Sequence, residues 1–253
     1  MTVQKKVNYG WYHVRMMTIY GLIGILGILS IILTLIIQGF IGLFFLIIGI
    51  ICLIFFLWPA LGILTVNLYS KTGKAHPIID NNGLKIFSNP KILDIGCGSG
   101  RVAIKLAKQV KDKGHVYGID IFNNAIKGNS LEMVQENAKL EGVANQTTFQ
   151  YGSVLEIPFE DNNFDFINMS YVFHEIPEKV KALREIKRVI KPEGIFWLTE
   201  FHRNSLGSIL INGIYTLFFK SHNFWFNLFK ENEIEVLEYR RKLAIGIFIL
   251  KLK

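Results

Sequence analysis

Residues 92–101 read ILDIGCGSGR, an apolar run around Asp94 followed by Gly96, Gly98 and Gly100 at alternate positions. A glycine-rich turn after a strand lets a ligand approach the backbone, and the next helix offers its N-terminal amides. Dinucleotide sites instead carry G-x-G-x-x-G, where the helix end receives a pyrophosphate. An acid beside the turn opposes a pyrophosphate but can accept a cationic group such as an ammonium. The stretch therefore predicts a strand–turn–helix ligand site and disfavours a nicotinamide-dependent dehydrogenase.

A second acidic residue supports a nucleoside ligand. Asp120 ends the apolar stretch HVYGID (115–120), 20 residues after Gly100. A carboxylate at this position can accept hydrogen bonds from the hydroxyls of a ribose. The alternative is a helix cap before Asn123.

Strand and helix patterns alternate after residue 90, which predicts an α/β fold with a mostly parallel sheet. The terminal stretches 233–241 and 244–253 follow each other closely and predict an antiparallel hairpin. Predicted strands are residues 91–95, 115–120, 147–151, 163–172 and 194–201, and predicted helices are residues 99–110, 124–140 and 178–190.

These stretches resemble the class I S-adenosylmethionine-dependent methyltransferases, from about Ile79 to the C-terminus. ILDIGCGSG is similar to the first motif of that family, and YGID to its ribose-binding acid. GSVLEIPF (152–159), NFDFINMSYVFHEI (163–176) and RVIKPEGIFWLTE (188–200) are similar to its later motifs. The run 181–201 is closest to the ubiquinone and menaquinone C-methyltransferases. Two departures are Ser153, where the family usually has Asp, and Glu193, which replaces a glycine.

The resemblance implies a Rossmann-like class I methyltransferase sheet with an antiparallel final strand, and S-adenosyl-L-methionine as cofactor. Ile121 and Phe122 are expected to flank the adenine, and Ser153 to hydrogen-bond near it. The implied cofactor-binding residues are Asp94, Gly96, Cys97, Gly98, Gly100, Asp120, Ile121, Ser153, Val154 and Ser170.

The candidate base is His174, with Glu175 beside it, at the carboxyl end of the fourth predicted strand. Ligands of open α/β sheets lie over that edge, and the pKa of an unperturbed histidine suits a general base. The alternatives are that His174 only lines the substrate pocket or packs in its loop. Tyr171 and His202 are weaker candidates for the same pocket.

The N-terminus predicts a transmembrane helical hairpin within residues 1–58, because no charged residue or histidine occurs from Met16 to Trp58. Helices of about residues 17–37 and 40–57 are each close to the length that crosses a bilayer. Gln38-Gly39 is the expected turn, and Pro59 the expected end of the second helix. A cleaved signal peptide and a single bent or re-entrant helix are the alternatives.

Basic residues flank both ends of this segment, Lys5, Lys6 and Arg15 before it and Lys71 and Lys74 after it. The positive-inside rule then predicts an integral protein of the cell membrane with both termini and the catalytic domain in the cytoplasm. We assign the net charge of +8 to contacts with anionic headgroups rather than to nucleic acid. The scattered histidines and two cysteines predict neither a metal site nor a disulfide framework.

The remaining regions are residues 59–90, read as a linker with a short helix near 77–84, and the methyltransferase domain, residues 91–253. Within that domain the apolar segment 205–230 is expected to cap the active site. Its part 205–220 has the composition of a membrane-interfacial helix. The predicted function is a membrane-anchored methyltransferase for a lipophilic small molecule, such as a quinone or a lipid headgroup. The alternative is a non-catalytic cofactor-binding scaffold that anchors or regulates a partner.

Overall fold

The computed structural model describes residues 6–10, 14–71, 87–122, 129–203, 206–242 and 244–252. The chain divides into two compact units. One, called here the sheet unit, comprises Met1–Gly10, Pro77–Phe201 and His222–Lys253. The other, the helical unit, comprises Trp11–His76 and His202–Ser221.

The sheet unit is built on seven strands in the order β3-β2-β1-β4-β5-β7-β6. Neighbouring strands pair in parallel except β7, which is antiparallel to both β5 and β6. The carboxyl ends of β1, β2, β4 and β5 therefore meet at one edge of the sheet. The strands are β1 Lys91–Ile95, β2 His115–Asp120, β3 Thr147–Tyr151, β4 Phe164–Ser170, β5 Ile190–Phe201, β6 Ile234–Lys242 and β7 Ile245–Leu252.

Helices pack on both faces of this sheet. Ile92 and Leu93 of β1 belong to different buried clusters, because successive strand residues point to opposite faces. The amphipathic spacing of the helix Arg101–Val110, labelled α4, buries Ala103, Ile104 and Ala107. Helices of the sheet unit are α4 Arg101–Val110, α5 Leu131–Leu140, α6 Lys179–Val189 and α8 His222–Glu231.

The expected sheet with its antiparallel closing strand is confirmed. Strand β5 begins at Ile190, before the expected residue 194, and pairs with Phe164 across a register shift. The start of the helix predicted from residue 124, and the short helix predicted near 77–84, lie outside the described residues.

The helical unit contains α1 Val14–Leu33, α2 Gly39–Cys52, a π-turn Leu53–Leu57 and α3 Trp58–Lys71. The expectation that Pro59 ends the second helix is wrong, since helical structure continues to Lys71. Pro59 lies in the first turn of α3, where a proline costs little because the backbone N–H that it lacks would have few partners there. The π-helical stretch Leu53–Leu57 before it also changes the backbone hydrogen-bond pattern at this point. The first helix ends four residues before the predicted residue 37.

Small residues bring these helices together. A Cβ atom on Gly24 would lie 2.6 Å from Leu57 Cβ, and one on Gly27 would lie 2.4 Å from Cys52 Cβ. Ser30 Oγ also donates to the carbonyl of Phe45 at 2.8 Å. Close helix contact of this kind is typical of glycine faces in membrane helices.

The apolar segment 205–230, expected to cap the active site, is divided between the two units. Its first part, α7 Leu206–Asn212 with the 3₁₀ turn Gly213–Phe218, belongs to the helical unit and packs on α3. Trp58 Nε1 donates to the Leu210 carbonyl at 3.0 Å. Only the second part, α8, packs in the sheet unit, where Trp225 and Phe229 are fully buried. The charge-free part thus associates with the apolar hairpin, which it matches in composition.

Candidate active site

The glycine turn joins β1 to α4 in a conformation that requires glycine. Gly96, Gly98 and Gly100 have φ values of +71°, +52° and +84°. A Cβ atom on Gly96 would lie 2.4 Å from Val172 Cγ2. The backbone N–H of Gly96 donates to the Ile119 carbonyl at 2.8 Å, so the turn is fixed to the end of β2.

Asp120 holds this turn through its carboxylate. Its Oδ2 accepts the Gly98 N–H at 2.9 Å, and its Oδ1 accepts the Phe122 N–H at 2.8 Å. Each carboxylate oxygen has two lone pairs, so capacity for further donors remains. Asp120 can therefore order the turn and accept ribose hydroxyls at the same time.

Asp94 is buried in β1, the strand next to β2, which carries Asp120. Its Oδ1 accepts Asn168 Nδ2 at 2.6 Å, whereas Oδ2 has no hydrogen-bond partner among the described residues. Burial raises the pKa of Asp94 to about 7, against the opposing effects of the Asn168 side chain and of the backbone N–H of Ala103, which faces the carboxyl group. A buried carboxylate oxygen that makes no close hydrogen bond is a place for a cationic donor. The site thus fits the ammonium of S-adenosylmethionine.

The other predicted cofactor residues divide into exposed and packed positions. Ile121 is exposed, but Phe122, expected to flank the adenine with it, is buried against Tyr151. Val154 is buried in the core. Cys97 is also buried, and burial raises the pKa of its thiol, which keeps it neutral.

The two serines serve local hydrogen bonds. Ser153 Oγ accepts the Leu155 N–H at 3.1 Å. Ser170 Oγ donates to Asn168 Oδ1 at 3.2 Å, and Asn168 in turn donates to Asp94. Asn168, which the sequence reasoning did not single out, therefore links the end of β4 to the buried acid of β1.

His174 lies in the turn Phe173–Glu175, just beyond β4. Its Nδ1 is 2.7 Å from Oε2 of Glu200, a fully buried residue of β5. Oε1 of Glu200 accepts the backbone N–H of Phe173 at 2.6 Å and that of His174 at 3.3 Å. Glu175 is on the other side, with Oε1 4.0 Å from His174 Nε2. A buried carboxylate therefore orients the imidazole. Acid–histidine pairs of this kind hold a histidine in position to act as a general base.

Glu200 was missed by sequence reasoning. The one available indication was an acid inside the apolar strand GIFWLTEF (194–201), at the same sheet edge as the glycine turn. Among the weaker candidates, Tyr171 has φ +60° and packs on Phe201 at 4.9 Å, and His202 is buried in the helical unit.

The sequence pattern of a family described as "Methyltransferase domain" matches residues 86–231, more than half of the chain. The chain therefore belongs to this methyltransferase family.

Curated relatives carry quinone methyltransferase names. A 2-phytyl-1,4-naphtoquinone methyltransferase of Trichormus variabilis is 35% identical over 111 residues, which are 44% of this chain and 46% of the relative. A demethylmenaquinone methyltransferase of Staphylococcus aureus is 34% identical over 131 residues, 51% of this chain and 50% of the relative. The chain thus spans about half the length of the curated relatives it matches.

Solved structures show the same fold. A SAM-dependent methyltransferase from Aquifex aeolicus superposes with a TM-score of 0.57 at 23% identity, over 72% of this chain and 98% of the other. One from Methanosarcina mazei gives a TM-score of 0.57 at 19% identity, over 70% and 99%. The predictions of a class I methyltransferase domain, related to the quinone branch, and of S-adenosylmethionine as its cofactor are confirmed.

Proposed function

We propose that this protein is a membrane-anchored methyltransferase that transfers the methyl group of S-adenosylmethionine to a lipophilic small molecule. The observation that carries the proposal is the position of two sites at one sheet edge. The acid-flanked glycine turn follows β1, His174 follows β4, and its partner Glu200 lies near the end of β5. A quinone-type ring is the favoured acceptor, because the curated relatives bear quinone methyltransferase names. A lipid headgroup is the second candidate, supported only by the apolar helical unit.

Bound S-adenosylmethionine supplies a methyl group already activated on a sulfonium. Asp94 accepts the ammonium, Asp120 accepts the ribose hydroxyls, and the exposed Ile121 side chain lies beside the base. The orphaned Asp94 Oδ2 supports the first of these roles. Methyl transfer breaks the carbon–sulfur bond, forms the bond to the acceptor and releases one proton from the acceptor.

In this proposal His174 takes that proton on Nε2, because Nδ1 is held by Glu200. Glu200 fixes the tautomer and stabilises the imidazolium that forms. Glu175, 4.0 Å from Nε2, adds a second negative charge that favours the same product. Positioning of donor and acceptor supplies the remaining acceleration.

Two helices support the membrane anchor. Val14–Leu33 and Gly39–Leu68 are long and apolar enough to cross a bilayer, and only 11% of the most apolar stretch of each is buried. A core helix of a soluble protein would be mostly buried. We therefore extend the proposed membrane region beyond residue 58 and retain the orientation with both termini and the catalytic domain in the cytoplasm of the cell.

The apolar surface of segment 206–218 supports contact between the protein and the bilayer. The segment packs within the helical unit and exposes Leu206, Leu210, Leu217 and Phe218. Lys220, two residues after it, suits a headgroup region. We propose that this segment lies at the membrane interface, where a lipophilic acceptor is concentrated.

The test is methyl transfer by the detergent-purified chain. The protein is incubated with radiolabelled S-adenosylmethionine and a membrane lipid extract, and the organic phase is separated by chromatography. We expect label in a quinone fraction, lost in His174→Ala. Label confined to a phospholipid fraction would replace the quinone with a headgroup. Cofactor binding without transfer to any fraction would favour the non-catalytic scaffold.

A further inference from the structure

The N-terminal residues Lys6–Gly10, called here the strap, lie against the sheet unit and form part of it. Asn8 pairs with the side chain of Asn137 on α5 through both backbone groups. Its N–H donates to Asn137 Oδ1 at 2.9 Å, and its carbonyl accepts Asn137 Nδ2 at 2.8 Å. This two-point contact fixes the position of the strap along α5.

The strap also contacts the glycine turn directly. The carbonyl of Tyr9 accepts Ser99 Oγ at 3.0 Å and Arg101 Nη2 at 3.2 Å. The Arg101 guanidinium also lies 5.1 Å from the centre of the Tyr9 ring, at cation–π distance. Ser99 stands between the two glycines that border the start of α4, so the strap holds the middle of the turn.

Asn137 connects the two sets of contacts. Its Nδ2 donates to the Ser99 carbonyl at 2.9 Å as well as to Asn8. With the strap in place Asn137 is 2% exposed, so its hydrogen bonds to Asn8 and Ser99 are shielded from water. A buried amide is costly unless its partners are present, so the strap favours the arrangement of α5 and the turn in which all three groups are satisfied.

A third contact holds the tip of the strap. The Tyr9 hydroxyl donates to Glu141 Oε1 at 2.9 Å, and Glu141 also pairs with Lys108 of α4. The strap is thereby bound to both helices that follow the glycine turn and the ribose-binding acid. Only residues 11–13 separate it from α1.

We propose that the strap is a positioning element of the cofactor site, and that Tyr9 and Asn137 hold the turn 96–101 in the conformation that binds S-adenosylmethionine. This rests on the proposed function, in which that turn binds the cofactor. The strap contacts the turn and acts through it. The residues just before the first apolar helix thereby affect the affinity for the cofactor.

The experiment uses the full chain in detergent and compares Tyr9→Ala, Asn137→Asp and the control Gln135→Ala. Gln135 is an exposed residue of the same helix as Asn137. Asn137→Asp keeps the acceptor but replaces the donor that Ser99 and Asn8 share. Calorimetry gives the dissociation constant for S-adenosylmethionine and, separately, the fraction of binding-competent protein. Hydrogen exchange reports the amides of residues 96–101 without cofactor.

Asn137→Asp loses the bonds that Asn137 Nδ2 donates to Asn8 and Ser99, and should raise the dissociation constant about tenfold. Tyr9→Ala keeps the backbone carbonyl but loses the ring contact with Arg101 and the hydroxyl bond to Glu141, and should raise it by a similar factor. Both variants should also speed exchange in the turn, while Gln135→Ala changes neither. Tyr9→Phe keeps the ring contact and loses only the bond to Glu141, so its dissociation constant should lie between those of the unmodified chain and Tyr9→Ala. A merely structural role would lower the competent fraction and leave the dissociation constant unchanged, which overturns the proposal. If the unmodified chain itself fails to bind, the proposed function fails instead.

Discussion

Glu200 and His174 meet across the ends of β5 and β4, with Glu200 Oε2 2.7 Å from His174 Nδ1 and the carboxylate fully buried. A buried carboxylate is costly unless its oxygens are satisfied. Here the imidazole and the N–H groups of Phe173 and His174 satisfy them. The pair therefore fixes both the loop and the orientation of the ring.

Replacing Glu200 by Gln should reduce turnover by about 100-fold, the lower range for loss of effective general-base catalysis. Glutamine is isosteric but has no charge to stabilise the imidazolium. The KM for S-adenosylmethionine should stay within about twofold, because the glycine turn is untouched. Steady-state methyl transfer measures both constants. Glu193→Gln, an exposed acid of the same strand, is the matched control. Equal turnover in the two variants would remove Glu200 from the mechanism.

The buried acid Asp94 predicts a pH-dependent stability. Because burial raises its pKa to about 7, folded Asp94 keeps its proton between pH 4 and 7, where the unfolded chain has lost it. The folded state then binds more protons, so the free energy of unfolding falls as pH rises through this interval. Above pH 7 the penalty is constant.

Asp94→Asn removes this titration. Relative to the variant, the unmodified protein should lose up to about 4 kcal/mol between pH 4 and pH 8. Thermal unfolding at a series of pH values measures the difference. The same pKa predicts weaker S-adenosylmethionine binding at pH 6 than at pH 8, since a protonated Asp94 lacks the negative charge that attracts the ammonium. A pH-independent difference between the two proteins would contradict the assignment.

Gly96→Ala should unfold at a lower temperature than Gly142→Ala. Both positions have positive φ, +71° and +73°, so both alanines carry a backbone strain of about 1 kcal/mol. Only at Gly96 does the new Cβ also meet a neighbour, at 2.4 Å from Val172, whereas nothing lies within 4 Å at Gly142. We expect a further loss of about 1–3 kcal/mol at Gly96. Equal midpoints for the two variants would show that the turn is not packed as described.

Gly62→Ala should detach segment 206–218 from α3. A Cβ atom at Gly62 would lie 1.6 Å from the Ile211 carbonyl oxygen, whereas one at Gly21 meets nothing within 4 Å. Limited trypsin digestion in detergent, read at Arg203 and Lys220, should be faster for Gly62→Ala than for Gly21→Ala. Identical digestion of both variants would argue against the packing of this segment on the hairpin.

The sequence predicted the fold and pointed to the two acids that we propose bind the cofactor, because both depend on local patterns. Asp94 and Asp120 each stand at a fixed distance from the glycine turn. Glu200 and Asn168 could not be found in this way, since their partners lie on neighbouring strands and depend on sheet register.

Two further features depend on tertiary structure. Pro59 predicts a helix end, but after the π-helical stretch before it the helix continues to Lys71. The φ of +44° at Phe122 and the burial of its ring against Tyr151 depend on a neighbouring strand, and no local pattern predicts them. The contacts of Tyr9 with Ser99 join residues 90 positions apart, and no local pattern encodes them.

Calorimetric binding of S-adenosylmethionine to the detergent-purified chain tests the central claim most directly. Asp120→Ala is compared with Asp112→Ala, an exposed acid outside the site, and circular dichroism confirms that all three proteins are folded. The account predicts micromolar binding that survives Asp112→Ala and is lost in Asp120→Ala. Absence of binding by the folded, unmodified chain, or equal affinity in both variants, would contradict it.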